Sequence, residues 1–184
     1  YKYKGVSINS KTIKKNNLFI AIKGKKKDGH RYVAEAIKKG ASYCVISNKL
    51  NKKNKKKLLK FSNTNNFLNQ LAELKRAETQ AEIIAITGSC GKTSVKTLLG
   101  ALLEKFDKTY YSPKSYNNHY GVPLSLANLE KNHKYGVFEI GMSRAGEIQK
   151  LSKLVKPNIG LITNIAEAHI VNFKNLRGIA AAKG

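Results

Sequence analysis

The chain has 184 residues, of which 41% are hydrophobic, so one large or two small packed domains are possible and wholesale disorder is excluded. Its formal net charge of +24 raises the question of a nucleic-acid surface, yet of 35 basic residues only Arg31, Arg76, Arg144 and Arg177 are arginine. Specific readers of bases and phosphates use the bidentate guanidinium, so a lysine excess reads as a solvated face with weak, salt-sensitive attraction to polyanions and no specific nucleic-acid site.

The first half reads as a small α/β unit. Gly5 to Ile8 and Leu18 to Ile22 are β-prone runs. Asp28-Gly29-His30 is a turn that opens a helix from Arg31 to Lys39, and Gly40 supplies the glycine that ends it. Tyr43 to Ser47 is a buried strand. The lysine-rich stretch from Asn48 to Lys57 reads as an exposed loop, and Leu58 to Phe61 as a further strand. Phe67, Leu68, Leu71, Ala72 and Leu74 recur at helical spacing, which predicts a helix over 65–77. A boundary follows at 78–82, giving domains over 1–78 and 79–184.

In the second half Ile83 to Ile86 is a continuous apolar run that leads into a glycine loop. Val95, Leu98, Leu99, Leu102 and Leu103 recur so as to fit one face of a helix, which predicts a helix from Lys92 to Phe106. Strands are predicted at Thr109–Tyr111, Tyr135–Ile140 and Ile159–Ile165, with helices after Gly121 and from Gly146 to Val155. Buried strands alternating with helices predict a mostly parallel, doubly wound sheet with its ligand at the carboxyl ends of the strands.

The two cysteines, Cys44 and Cys90, form neither a zinc spacing nor a disulfide framework, which fits a reducing cytoplasm. No apolar run reaches the length of a membrane span, so no membrane insertion is expected. The chain opens at Tyr1 and stops at Gly184 inside an apparent helix, which leads us to expect a piece of a longer protein.

Thr87-Gly88-Ser89-Cys90-Gly91-Lys92-Thr93 carries the chemistry. It lies between a buried strand and an amphipathic helix, where glycines let backbone N–H groups close on phosphate oxygens and the helix dipole favours anions. Lys92 is placed to reach the β/γ-phosphates and the Thr93 hydroxyl to bind Mg²⁺. The longer phosphate-loop pattern has a glycine where this chain has Ile86, so the loop is a GxxGKT variant. Cys90 has no His or Asp arranged beside it and reads as a spacer within the cradle. Glu139, Asn164, Glu167 and His169 all fall just past apolar strands, and a carboxylate in that position is a hard-oxygen ligand suited to Mg²⁺.

These residues occur within a longer series. Thr87–Thr93, Asn117-Asn118-His119-Tyr120-Gly121-Val122-Pro123-Leu124, Glu139-Ile140-Gly141-Met142, Gly146-Glu147-Ile148, Ile162-Thr163-Asn164-Ile165-Ala166-Glu167-Ala168-His169 and Ala181-Ala182-Lys183-Gly184 follow in order. The series resembles the Mur ligase family, and within it the branch that adds D-alanyl-D-alanine to UDP-N-acetylmuramoyl-tripeptide. The resemblance extends to Asn9-Ser10-Lys11, where the family has Asp-Ser-Arg, and to Leu18–Gly24 followed by Asp28-Gly29-His30, which is similar to the family's uridine-nucleotide domain.

The resemblance implies a small N-terminal α/β UDP-substrate domain followed by the first part of a P-loop ATPase domain. It implies ATP and Mg²⁺ as cofactors, with Thr87, Gly88, Ser89, Cys90, Gly91, Lys92, Thr93 and Asn118 at the nucleotide and Thr93, Glu139 and His169 at the metals. Lys92, Glu139, His169 and Lys183 are then the catalytic set, and Lys183 matches the lysine that becomes a carbamate. Ser10, Lys11, Asp28 and His30 are the substrate contacts. The implied protein is a cytoplasmic monomer that acts on small molecules, and this length alone is expected not to complete ligation. Another Mur-type ligase, one adding the third residue or resembling folylpolyglutamate synthase, is the alternative within the class. A basic nucleic-acid-binding P-loop protein is the alternative outside it.

Overall fold

In the computed structural model the structure describes residues 2–24, 27–48, 55–168, 170–173 and 175–184. The chain divides into two compact units, Tyr1–Leu71 and Ala72–Gly184.

The first unit is a four-stranded parallel sheet in the order β1 (Gly5–Ser7), β2 (Asn17–Ile20), β3 (Tyr43–Ile46), β4 (Leu58–Lys60). Alternation along the strands sends Phe19, Cys44 and Ile46 to the face covered by α1 (Val33–Lys38), where they pack with Ile13, Val33 and Ala36. Burial of the Cys44 thiol pushes its pKa up to about 11, as expected of an inert core cysteine. The single helix predicted from Arg31 to Lys39 is in fact a 3₁₀ turn at Gly29–Tyr32 leading into α1. The Asp28 side chain caps the turn by accepting from His30 N, and so the turn starts at Gly29, two residues early. The lysine-rich loop predicted over 48–57 falls largely on 49–54, outside the described residues; Lys55–Lys57 form an exposed 3₁₀ turn.

Helix α2 (Thr64–Glu78) contains the point where the two units divide, so this division falls inside the helix, ahead of the predicted boundary. The second unit holds β5 (Glu82–Thr87), α3 (Lys92–Leu103), β6 (Thr109–Tyr111), α4 (Gly121–Ala127), β7 (Tyr135–Glu139), α5 (Glu147–Val155), β8 (Ile159–Ile162) and α6 (Leu176–Lys183). Its strands are parallel in the order β6-β7-β5-β8. Ile83, Ala85, Phe138 and Ile140 face the core shared with Leu126, Leu151 and Val155, while Ile84, Ile86 and Val137 face α3. Helices on both faces of a parallel sheet give the doubly wound arrangement expected.

Two expectations for packing are corrected. Val95, Leu99 and Leu103 pack on the sheet, but Leu98 is 73% exposed and Leu102 lies half-exposed on another face of α3. A five-residue apolar set is wider than the stripe one sheet face can cover, and the next inward position is taken by Lys96 and Gly100. The helix also stops at Leu103, after which Lys105 and Phe106 donate to carbonyls three residues back in tighter turns. β8 ends at Ile162 rather than Ile165, and as one of the two outer strands it leaves Ile159 and Ile162 about half exposed.

Candidate functional site

Strand β5 lies between β7 and β8, so the chain leaves it in one direction and returns on the other side. This is a topological switch point, and the carboxyl ends of β5, β7 and β8 open there onto one crevice. The loop 87–93 follows β5, Glu139 ends β7, and Thr163 and Asn164 follow β8, which is why residues far apart in sequence meet.

Gly88 has φ +144° and Gly91 φ +77°, backbone that side chains other than glycine rarely adopt. A Cβ on Gly88 would also lie 1.9 Å from Thr163 Oγ1. The loop is laced to the segment after β8: Cys90 N donates to Asn164 Oδ1 at 2.9 Å, Ser89 N to the same oxygen at 3.1 Å, and Thr163 Oγ1 to the Cys90 carbonyl at 2.5 Å. Ser89 Oγ donates to the Ala166 carbonyl and accepts from its N–H, both at 2.9 Å. Lys92 Nζ donates to the Gly88 carbonyl at 2.8 Å and the Ser89 carbonyl at 3.3 Å, curled over the loop at the start of α3.

Glu139 faces α3 because it shares the strand parity of Val137. It is 1% exposed and accepts from the Thr93 hydroxyl at 2.8 Å and from Asn117 Nδ2 at 2.7 Å, and its N–H donates to Ser112 Oγ at 3.2 Å. Lys96 is equally buried, with Nζ 3.9 Å from Glu139 Oε2. Burial lowers the Lys96 pKa, and the Glu139 charge pushes it back up. The Thr87 hydroxyl is buried without a partner at the foot of the loop, a group that a bound ligand or water would satisfy.

A cavity of about 440 Å³ opens beside the loop, lined by Gly88, Lys92, Asn118, His119, Glu147 and Lys183 among others. That volume suits a small-molecule ligand. Lys183 on α6 is buried, and burial, then the Lys92 charge, lowers its pKa toward the neutral amine. Asn118 Oδ1 accepts from Tyr120 N at 3.0 Å and Gly121 N at 2.9 Å, fixing the turn into α4; it is the neighbouring Asn117 that reaches Glu139. His169, expected as a metal ligand, lies outside the described residues. Among the described residues no cluster of three or more His, Cys, Asp or Glu side chains could hold a metal. A hydroxyl paired with one carboxylate instead suits Mg²⁺, which takes few protein oxygens and keeps waters and phosphates as its other ligands.

In the first unit the candidate substrate residues follow the carboxyl ends of β1 and β2. Ser10 is buried and donates to Glu35 Oε2 at 2.8 Å, while Lys39 Nζ donates to Glu35 Oε1 at 2.6 Å and to the Ser10 carbonyl at 3.2 Å. The neighbouring Lys11 is exposed. Asp28 Oδ1, His30 Nδ1 (2.6 Å), His30 Nε2 and Ser47 Oγ (3.1 Å) form a row with the order of a hydrolase triad. The Nε2 lone pair, however, already accepts from Ser47 N at 2.9 Å. The imidazole is therefore no free base, and buried His30, with both nitrogens engaged, braces the loop after β2 against β3. Asp28 is held below the usual carboxylate range, first by the His30 backbone N–H and then by its ring.

The Mur ligase middle domain is matched over residues 86–184 and the Mur ligase family catalytic domain over residues 2–76. The chain belongs to the Mur ligase family. Among the family's curated members, the UDP-N-acetylmuramoyl-tripeptide–D-alanyl-D-alanine ligase of Rickettsia prowazekii is 42% identical over 178 residues, covering 97% of this chain and 39% of that protein. The ligase of the same name from Escherichia coli is 34% identical over 179 residues, with 97% and 39% covered. Among solved structures, MurF from Acinetobacter baumannii superposes with TM-score 0.84 at 32% identity, covering 100% of this chain and 40% of that one. MurF from Thermotoga maritima in complex with ADP gives 0.78 at 30% identity, covering 98% and 42%. The chain thus spans about 40% of the length of the relatives it matches.

Sequence reasoning missed Lys96, Ser112 and Asn117 as parts of this site. The Asn117-Asn118 pair was visible as a motif, but which of the two turns toward Glu139 depends on the turn into α4.

Proposed function

We propose that this chain carries the UDP-substrate unit and the phosphate-loop unit of an ATP-dependent ligase that adds D-alanyl-D-alanine to UDP-N-acetylmuramoyl-tripeptide. The convergence of Thr93 and Glu139 beside the 87–93 loop carries the reading, because it pairs a phosphate cradle with a hard-oxygen metal site. Support for the particular ligase comes from relatives bearing that name, which align along nearly the whole chain. The ADP complex of a similar structure supports an adenine nucleotide as a ligand.

In this reading the Lys92 ammonium and the loop amides neutralise the β- and γ-phosphates. Thr93 and Glu139 hold Mg²⁺, which supplies further charge neutralisation on the phosphate oxygens. The terminal carboxylate of the peptide attacks the γ-phosphorus, ADP leaves, and an acyl phosphate results. The amine of D-alanyl-D-alanine attacks the carbonyl carbon and loses a proton, and inorganic phosphate departs as the amide forms. Phosphorylation is needed because a carboxylate is a poor electrophile. Lys183, drawn toward the neutral amine, is suited to capture CO₂ as a carbamate and lose a proton, which converts a cation into an anionic oxygen donor beside Lys92. Ser10, Lys11 and Asp28 lie where the UDP substrate is expected, at the carboxyl edge of the first sheet, with His30 shaping that edge.

The test supplies ATP, Mg²⁺, UDP-N-acetylmuramoyl-tripeptide and D-alanyl-D-alanine to a protein of the relatives' length that contains this chain. The expected result is one ADP and one UDP-muramoyl-pentapeptide per turnover, with no product when either peptide substrate is omitted. ADP release that is indifferent to D-alanyl-D-alanine, with no pentapeptide formed, would reject this acceptor.

A further inference from the structure

Lys96 is the buried charge that phosphate binding leaves unused. It lies one turn along α3 from Lys92 and points inward, where it is 1% exposed. Its Nζ donates a hydrogen bond to the Lys114 carbonyl and lies 3.9 Å from Glu139 Oε2. Lys114 has φ +52°, left-handed backbone that costs a non-glycine residue energy, so its carbonyl is held there by the surrounding contacts. The same loop sends Ser115 Oγ to within 3.2 Å of Thr93 Oγ1 and Asn117 Nδ2 to 2.7 Å from Glu139 Oε1. One ammonium thus joins α3, the end of β7 and the loop before α4 around a single carboxylate.

A buried carboxylate without a counter-charge would attract any divalent cation. Paired with Lys96, Glu139 has no net charge to offer a bare ion. A nucleotide brings its own negative phosphates, and these tip the balance toward the metal. We propose that Lys96 is a positioning residue that serves as the resident counter-cation of Glu139, so that the metal enters with the nucleotide and not ahead of it. The inference rests on the reading of Thr93 and Glu139 as the metal site.

The experiment measures Mn²⁺ binding by electron paramagnetic resonance, with and without ADP, for wild type, Lys96→Met, Lys96→Gln and Glu139→Gln. Lys96→Gln keeps a donor for the Lys114 carbonyl while removing the charge, and Lys96→Met removes both. Wild type is expected to take up Mn²⁺ far better with ADP than without. Both Lys96 variants are expected to bind nucleotide-free Mn²⁺ at least about tenfold more tightly than wild type, because a divalent ion is relieved of a like charge. A merely structural lysine would give the opposite sign, since a loosened site binds metal less well. Wild type that binds Mn²⁺ equally with and without ADP would overturn the inference without any variant. Folded Lys96→Gln with unchanged or weaker nucleotide-free binding would overturn it while Glu139 dependence leaves the metal site standing. If Glu139→Gln binds Mn²⁺ with ADP as wild type does, the metal site itself falls, and the inference with it.

Discussion

Gly88→Ala tests whether the segment after β8 shapes the 87–93 loop. Two costs follow from the structure. The φ of +144° belongs to a region nearly closed to alanine, a strain of about 1–3 kcal/mol. The new Cβ would also lie 1.9 Å from Thr163 Oγ1 and 3.1 Å from both Thr163 Cβ and Thr163 N. Forcing a methyl into such a packed contact costs a further ~1–3 kcal/mol. If only 2 kcal/mol of this falls on the loop, the binding-competent population drops about 30-fold, and the apparent affinity for MgADP drops with it. Calorimetric titration with MgADP reads the affinity, and thermal unfolding reads any share taken from stability. Placing Gly88→Ala in a Thr163→Ala background removes the closest contact but leaves the φ strain and the contacts with the Cβ and backbone N of residue 163, so partial recovery is expected. A Gly88→Ala variant with wild-type affinity and unchanged melting would refute the packing of loop against β8 segment. Full recovery in the Thr163→Ala background would show that backbone strain contributes nothing.

Two further outcomes follow. Because the His30 N–H and ring hold Asp28 below the usual carboxylate range, its stabilising share is complete above its ordinary value and is lost as pH falls through the depressed one. Asp28→Asn should therefore cost about 1 kcal/mol near neutral pH and flatten the loss of stability below about pH 4, read by denaturant unfolding across pH; an unchanged acid limb would contradict the clasp. The lysine excess should give weak, sequence-indifferent DNA binding that disappears between about 50 and 200 mM salt, and selective binding surviving the higher salt would mean a built nucleic-acid site.

Much of the second unit was legible because its signals are local. A buried strand, a GxxGKT loop and an amphipathic helix in succession mark the 87–93 loop, and Glu139 announces itself as a carboxylate closing an apolar run. What was not legible depends on which face of α3 turns inward. Leu98 and Lys96 are two residues apart, and hydropathy assigns the leucine to the core and the lysine to water. The structure reverses both, because Glu139 and the Lys114 carbonyl give the ammonium partners that no periodicity reveals. The first unit shows the same limit at His30. The family resemblance implied a substrate contact there, and the Ser47 N–H that occupies Nε2 comes from another strand end and is invisible in the local sequence.

The central claim is that the 87–93 loop holds nucleotide phosphates, and direct binding tests it most plainly. MgADP is titrated into the wild-type chain and its Lys92→Ala variant, with far-ultraviolet circular dichroism confirming that both are folded. Wild type is expected to bind, and removal of the ammonium should weaken binding by about 1.5–3 kcal/mol, the worth of a charge-assisted hydrogen bond, or roughly 10- to 150-fold. Equal affinity in the two proteins would contradict the account.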